Sequence, residues 1–260
     1  MILAEKITVT RAGRKLLDNV AIDLRAGLFT VVIGPNGAGK STLMKVLSGE
    51  MQPDSGSVSY FGTEVGGCKP ADLARQRAVL PQAVQLSFPF TALEIVRMGA
   101  VAQGSRNPTE QARQALSRVG LRGFESRPYS SLSGGEQQRV QFARALAQVP
   151  AAVVDDVPRA LFLDEPTASL DLGHQISVLE VARDFAAAGG IVLAILHDLN
   201  LAAEFADHLV VLHGGRVVSQ GACADTVSDE TIGSVYGIAG AVGRIPAGHI
   251  PFVLPQSRHR

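Results

Sequence analysis

One short segment limits what this chain can fold into more than any other. Gly34-Pro35-Asn36-Gly37-Ala38-Gly39-Lys40-Ser41 fits the pattern G-x-x-x-x-G-K-[ST]. A continuous apolar run at residues 29–33 precedes it, and a helical pattern at 41–48 follows. Such a run reads as a central strand buried on both faces. The glycines let successive backbone amides turn inward around phosphate oxygens, where side chains would obstruct, and the helix N-terminus adds partial positive charge. Lys40 supplies a point charge for the β- and γ-phosphates, the Ser41 hydroxyl suits Mg²⁺, and Thr42 follows in the same turn. Taken alone, the loop specifies binding of a nucleoside triphosphate. Small-molecule kinases, GTPases and motor ATPases all remain open.

The remainder reads as α/β. Residues 2–9 and 20–24 alternate apolar and polar side chains, as half-buried strands do, and 57–61 reads as another strand. The middle is helical. Thr91 and Glu94 are spaced as a capping box, and Asn107-Pro108-Thr109-Glu110 repeats the signal with proline at the first helical position. Ala112, Ala115, Leu116 and Val119 then fall on one helical face before Gly120 stops the helix. From residue 161, strands (161–163, 191–196, 209–212, 216–219) alternate with helices (174–187, 199–206), the pattern of a mostly parallel sheet covered by helices. The expected architecture is an α/β phosphate-loop core with an N-terminal antiparallel β-subdomain (1–82 and 146–222). Residues 83–145 form an inserted α-helical subdomain, and 223–260 a C-terminal extension.

Leu161-Phe162-Leu163-Asp164-Glu165-Pro166 is an apolar strand ending in two carboxylates. Asp164 stands where an aspartate holds Mg²⁺ in phosphate-loop enzymes, and Glu165, one step on, can take a proton from the attacking water or orient it. Val153-Val154-Asp155-Asp156 also ends in acids. The run at 161–163 leads into a proline turn and a helix, which favours Asp164; Asp155 and Asp156 read as loop surface.

Leu132-Ser133-Gly134-Gly135-Glu136-Gln137-Gln138 precedes a helix carrying Val140, Ala143 and Ala147 on one face. Ser133 and Glu136 form a capping box. A cap has no need of two glycines, but a second anion-binding helix N-terminus does. With this motif the chain resembles the nucleotide-binding subunits of ABC transporters, in five ordered places over residues 1–221. The phosphate loop, Gln82 in Leu80-Pro81-Gln82, the LSGGEQQ signature, the acidic strand, and Ser169-Leu170-Asp171 with His197 all stand in family order.

The resemblance implies an ATPase that works as a head-to-tail pair. Two copies sandwich two ATP molecules, each between one subunit's phosphate loop and the other's signature. Ser133, Gly134, Gly135 and Gln138 then face the γ-phosphate in trans, and Asp171 lies in the dimer-contacting loop. Gln82 contacts Mg²⁺ or water, Asp164 and Ser41 hold Mg²⁺, Glu165 acts as base, and His197 contacts the γ-phosphate. His174, His208 and His213 have no place in the series and read as surface or packing. Where the family carries an aromatic that stacks on adenine, this chain has Arg11. Its guanidinium plane can stack on a base; a solvated hairpin arginine is the alternative.

Residues 87–99 and 196–207 resemble importers of iron-siderophores, heme and vitamin B12. The long proline-bearing segment 149–160 most resembles hemin-import ATP-binding subunits, with ferric-siderophore or cobalamin import as the runner-up. Lys and Arg total 24 and so do Asp and Glu, a balance that tells against nucleic-acid partners and so against the DNA-repair and ribosomal branch of the superfamily. The signature and Ser169-Leu170-Asp171 tell against a small-molecule kinase. No apolar run approaches the about 18 residues of a membrane span, and the N-terminus does not read as a signal peptide. Two cysteines, Cys68 and Cys223, suit a reducing compartment. The resemblance therefore implies a peripheral subunit on the cytoplasmic face of the inner membrane. Its partners would be two permease copies and a substrate-binding protein, with a docking surface around residues 83–130.

Overall fold

The computed structural model describes residues 1–82, 88–238, 240, 242–244 and 253–256. The expected start of the insert at 83, Ser87 of the 87–99 stretch, and the remaining residues of the C-terminal extension lie outside these. The strands are β1 (Ile2–Arg11), β2 (Arg14–Leu24), β3 (Phe29–Ile33), β4 (Ser55–Tyr60), β5 (Thr63–Glu64), β6 (Arg77–Leu80), β7 (Val153–Val154), β8 (Val157–Pro158), β9 (Ala160–Asp164), β10 (Ile191–Ile195), β11 (His208–His213) and β12 (Arg216–Gly221). The helices are α1 (Lys40–Leu47), α2 (Pro70–Gln76), α3 (Ala92–Gln103), α4 (Pro108–Arg118), α5 (Gly134–Gln148), α6 (Leu172–Ala187), α7 (Leu199–Phe205), α8 (Cys223–Thr226) and α9 (Asp229–Tyr236).

The main sheet runs β12-β11-β3-β10-β9-β6, parallel except for the edge strand β12. A second, antiparallel sheet runs β2-β1-β4-β5. Side-chain alternation along the central strands divides the interior into two cores. Phe29, Val31 and Ile33 of β3, Leu161 and Leu163 of β9, and Val192 and Ala194 of β10 face one side, where α3 to α7 supply Val96, Leu116, Phe142, Leu179 and Phe205. Val32, Phe162, Leu193 and Ile195 face the other, against α1 and the antiparallel sheet through Leu43, Leu47, Ile7 and Leu17. A strand covered on both faces must be apolar throughout, and β3, β9 and β10 are buried at every position.

Local signals explain most element ends. Thr91 accepts from the Glu94 amide while the Glu94 carboxylate accepts from the Thr91 amide, closing the box that starts α3. The second expected box does not form. Asn107 caps α4 without a side-chain hydrogen bond, Pro108 alone marks the start, and Gly120 (φ +72°) follows the end. Asp155 and Asp156 (φ +51° and +60°) form the two-residue turn between β7 and β8, a short hairpin where the sequence predicts only loop. Both are exposed, as expected of loop surface.

Helix α5 is tied to α2 and β6 by polar contacts as well as packing. Gln148, buried at the end of α5, donates through Nε2 to the Ala74 (2.8 Å) and Arg77 (2.9 Å) carbonyls, where α2 passes into β6. Removing the donor takes this partner from two partly buried carbonyls, which costs at least what the hydrogen bonds contribute. Gln148→Ala should lower the free energy of unfolding by roughly 1–3 kcal/mol, measured by urea denaturation; an unchanged midpoint would refute the anchoring role.

Candidate functional site

Strand register builds the site. β6 pairs Leu80 with Leu163 of β9, and β9 pairs Leu163 with Ala194 and Asp164 with Ile195 of β10. Beyond these pairs, Gln82, Glu165 and His197 leave three neighbouring strands at one level. Carboxyl ends of parallel strands are where open α/β sheets place ligands.

Glu165 is the meeting point. Its Oε1 lies 2.6 Å from His197 Nε2, and its Oε2 accepts from Gln82 Nε2 at 3.0 Å. The residue sits at φ +53° and Ser169 at φ +62°, so the turn from β9 to α6 holds two non-glycine residues in the left-handed region. Strain of this kind persists only where surrounding contacts fix it.

The phosphate loop abuts the same level. Gly34 and Gly39 cannot be replaced without collision, because a Cβ on Gly34 would meet the Leu212 carbonyl and one on Gly39 the Leu16 carbonyl. Lys40 is buried and donates to the Gly34 (2.7 Å) and Pro35 (3.0 Å) carbonyls. Burial lowers its pKa, against the opposing pull of the Glu165 and Asp164 charges. Burial likewise pushes the Asp164 carboxyl up, with the Glu165 charge adding to it and the Ser41 hydroxyl and the charges of Lys45 and Lys40 opposing. Ser41 Oγ lies 3.4 Å from Asp164 Oδ1. A hydroxyl and a buried, undercompensated carboxylate side by side are the hard oxygen donors that Mg²⁺ takes.

The signature residues start α5. Ser133 accepts from the Glu136 amide, and the Glu136 carboxylate accepts from the Ser133 amide (2.7 Å) and hydroxyl (2.9 Å). The glycines serve packing too, since a Cβ on Gly135 would come within 3.1 Å of the Ser169 carbonyl. Gln138 Nε2 donates to the Glu165 carbonyl of its own chain at 3.4 Å. Asp171 caps α6, accepting from the His174 amide and lying 2.9 Å from its Nδ1. Arg11 pairs with Asp54 at 3.1 Å, both side chains about half exposed.

The ABC transporter family model matches residues 17–168. The chain is 72% identical, over the full length of both, to the hemin import ATP-binding protein HmuV of Agrobacterium fabrum. Among solved structures it is similar to an ATP-binding subunit of an ABC transporter (27% identity, TM-score 0.77, covering 93% of this chain and 95% of that one). A dimeric bacterial ABC transporter cassette is similar as well (26%, TM-score 0.75, 86% and 99%).

The chain belongs to the ABC transporter family. It is an ATP-binding subunit, an ATPase, and its fold is that of the family's cassettes.

Within this ABC ATPase two separate cavities are lined in part by motif residues. One, of about 310 Å³, is lined by Leu16, Asn36, Gly37, Gly39, Lys40, Ser41, Thr42, Gln82 and Glu165. The other is lined by Ser133, Gly134, Gly135, Glu136, Arg139, Ser169, Leu170, Asp171 and His174. Among the described residues none is common to the two linings. Arg11, Asp164, Gln138 and His197 belong to neither. Leu16 was not anticipated, although a signal existed: Leu16 and Leu17 together break the alternation of β2, leaving one side chain to face the loop.

A buried carboxylate held short of full compensation weakens the fold that carries it. Its folded pKa is raised, so the penalty is absent at low pH and grows as pH rises through the unfolded value toward the folded one. Asp164→Asn removes the charge while keeping the shape. At pH 7 and without nucleotide it should raise the melting temperature, by about 2–4 °C for each kcal/mol relieved, and abolish ATP hydrolysis. A lower melting temperature in differential scanning calorimetry would contradict this account.

Proposed function

We propose that this chain is the energy-coupling subunit of a hemin importer, acting as a head-to-tail homodimer on the cytoplasmic face of the inner membrane. Two permease copies and a substrate-binding protein complete the complex. The end-to-end likeness to a hemin import ATP-binding protein carries the substrate class. The separation of the phosphate-loop and signature cavities within one chain supports the trans arrangement. Among the described residues no helix is long and apolar enough to cross a membrane. Phe88, 71% exposed, and the exposed Met98 and Val101 of α3 form an apolar face on the insert suited to a permease.

The residues divide the chemistry as follows. Lys40 exchanges the Gly34 and Pro35 carbonyls for phosphate oxygens, gaining a charged partner for its buried ammonium. Loop amides from Asn36 to Thr42 would hold the remaining oxygens, with Gly34 and Pro35 shaping the turn. Ser41, Asp164 and Gln82 would hold Mg²⁺, which neutralises phosphate charge. Gln82 and His197 each bind one oxygen of Glu165, and that fixes the carboxylate at the mouth of the loop. There Glu165 takes a proton from water as the water's oxygen bonds to the γ-phosphorus and ADP leaves. His197 would contact the γ-phosphate from its place beside Glu165, and the partner copy's signature residues would close the site. Arg11 would stack on adenine from the β1–β2 hairpin only by giving up Asp54, its present partner.

Glu165→Gln should retain ATP binding, slow turnover by about 10²-fold or more, and trap a dimer visible as a doubled mass by light scattering. Hydrolysis at the parental rate would remove Glu165 as the base. In the reconstituted complex with permease and binding protein, hemin should stimulate ATPase activity where cobalamin and a ferric siderophore do not. Stimulation by either of those instead would reassign the cargo.

A further inference from the structure

The C-terminal extension carries none of the five motifs, yet it reaches the scaffold of the ATP site from two directions. Residue Val235 of α9 is buried and Tyr236 packs against the core that holds Ile33 and Val211. The Tyr236 hydroxyl faces the amide of Gly34, the first residue of the phosphate loop. Farther along, Pro255 is buried, and Gln256 donates through Nε2 to the Asn200 carbonyl at 2.7 Å.

Asn200 lies three residues after His197, in the first turn of α7. Its amide is already held by the Asp198 carboxylate at 2.7 Å. Asn200 is thus gripped on both sides, by the cap of its own helix and by the tail of the chain. The grip matters because α7 has only seven residues, too few for helical cooperativity to hold it by itself. His197 is 47% exposed on its side chain, and its Nε2 must stay within hydrogen-bond reach of Glu165 Oε1. With little packing around the ring, its place depends on the backbone that leads into α7. The Gln256 amide has one useful orientation: Nε2 faces the carbonyl, while its Oε1 is buried and finds no hydrogen-bond partner among the described residues. A flipped amide would set two oxygens against each other.

We propose that Gln256 is a positioning residue for ATP hydrolysis: through Asn200 it fixes the start of α7, and so holds His197 against Glu165. This rests on the roles given above to His197 and Glu165. It predicts an effect on turnover and not on nucleotide affinity, because Gln256 lies away from the residues that line the phosphate-loop cavity.

The test uses the purified full-length chain with MgATP. A neutral hydrogen bond that holds a reacting group is worth up to about tenfold in rate, so Gln256→Ala should lower kcat roughly three- to tenfold. KM for ATP should stay within about twofold, as expected when ground-state binding is untouched. Gln256→Glu is nearly isosteric but sets a carboxylate oxygen against the Asn200 carbonyl, so it should lower kcat at least as far. A residue that only packs would tolerate that change. The double variant of Gln256→Ala with His197→Ala should be no slower than His197→Ala alone, since the two act on one group. Parental kcat in Gln256→Glu, or additive losses in the double variant, would overturn the proposal. If His197→Ala itself turned over at the parental rate, the reading of His197 would fall, and the positioning role with it. Losses confined to the Gln256 variants' melting temperature would also overturn it, by showing a structural role alone.

Discussion

The parallel pairing of β6, β9, β10 and β3 is the constraint on which the rest depends. It ends four strands at one level and sets Gln82, Glu165 and His197 side by side next to the phosphate loop. The same pairing fixes which side chains enter which core. Phe162 faces the antiparallel sheet and Leu161 and Leu163 face the helices, so a slip of one residue would exchange the two interiors. Packing on both faces thus holds a register that the chemistry then uses.

The site itself is held against its own electrostatics. Lys40 and Asp164 are both buried, and burial disfavours the charged form of each. Lys40 is satisfied for now by two backbone carbonyls, and Asp164 by a long contact with Ser41. In the proposed function a polyphosphate and its cation would supply the charges these two groups lack. Weak compensation in the free chain is the cost of strong differential binding when nucleotide arrives.

The division into two cavities is what the proposed head-to-tail pairing explains. Signature and phosphate loop each present a helix N-terminus, at Gly134 and Lys40, but among the described residues none is common to the walls of the two cavities. Between them stands the turn from Glu165 to Asp171, which contacts Gln138 and Gly135 on one side and Gln82 and His197 on the other. Helix α5 is thus joined to the backbone of Glu165 itself, through Gln138.

The sequence by itself determined the phosphate loop, the capped start of α5, the acidic end of β9 and the family order of the motifs, because each depends on residues close together in the chain. Glycine at a forced approach and a carboxylate capping an amide three residues away leave local marks. Only the tertiary structure decided that Glu165 is held by both Gln82 and His197, that Leu16 lines the loop cavity, that Asn107 makes no side-chain cap, and that Gln256 reaches Asn200. Those contacts join residues up to 83 positions apart. They arise from strand register and from the return of the tail, and no local pattern of side chains encodes either one.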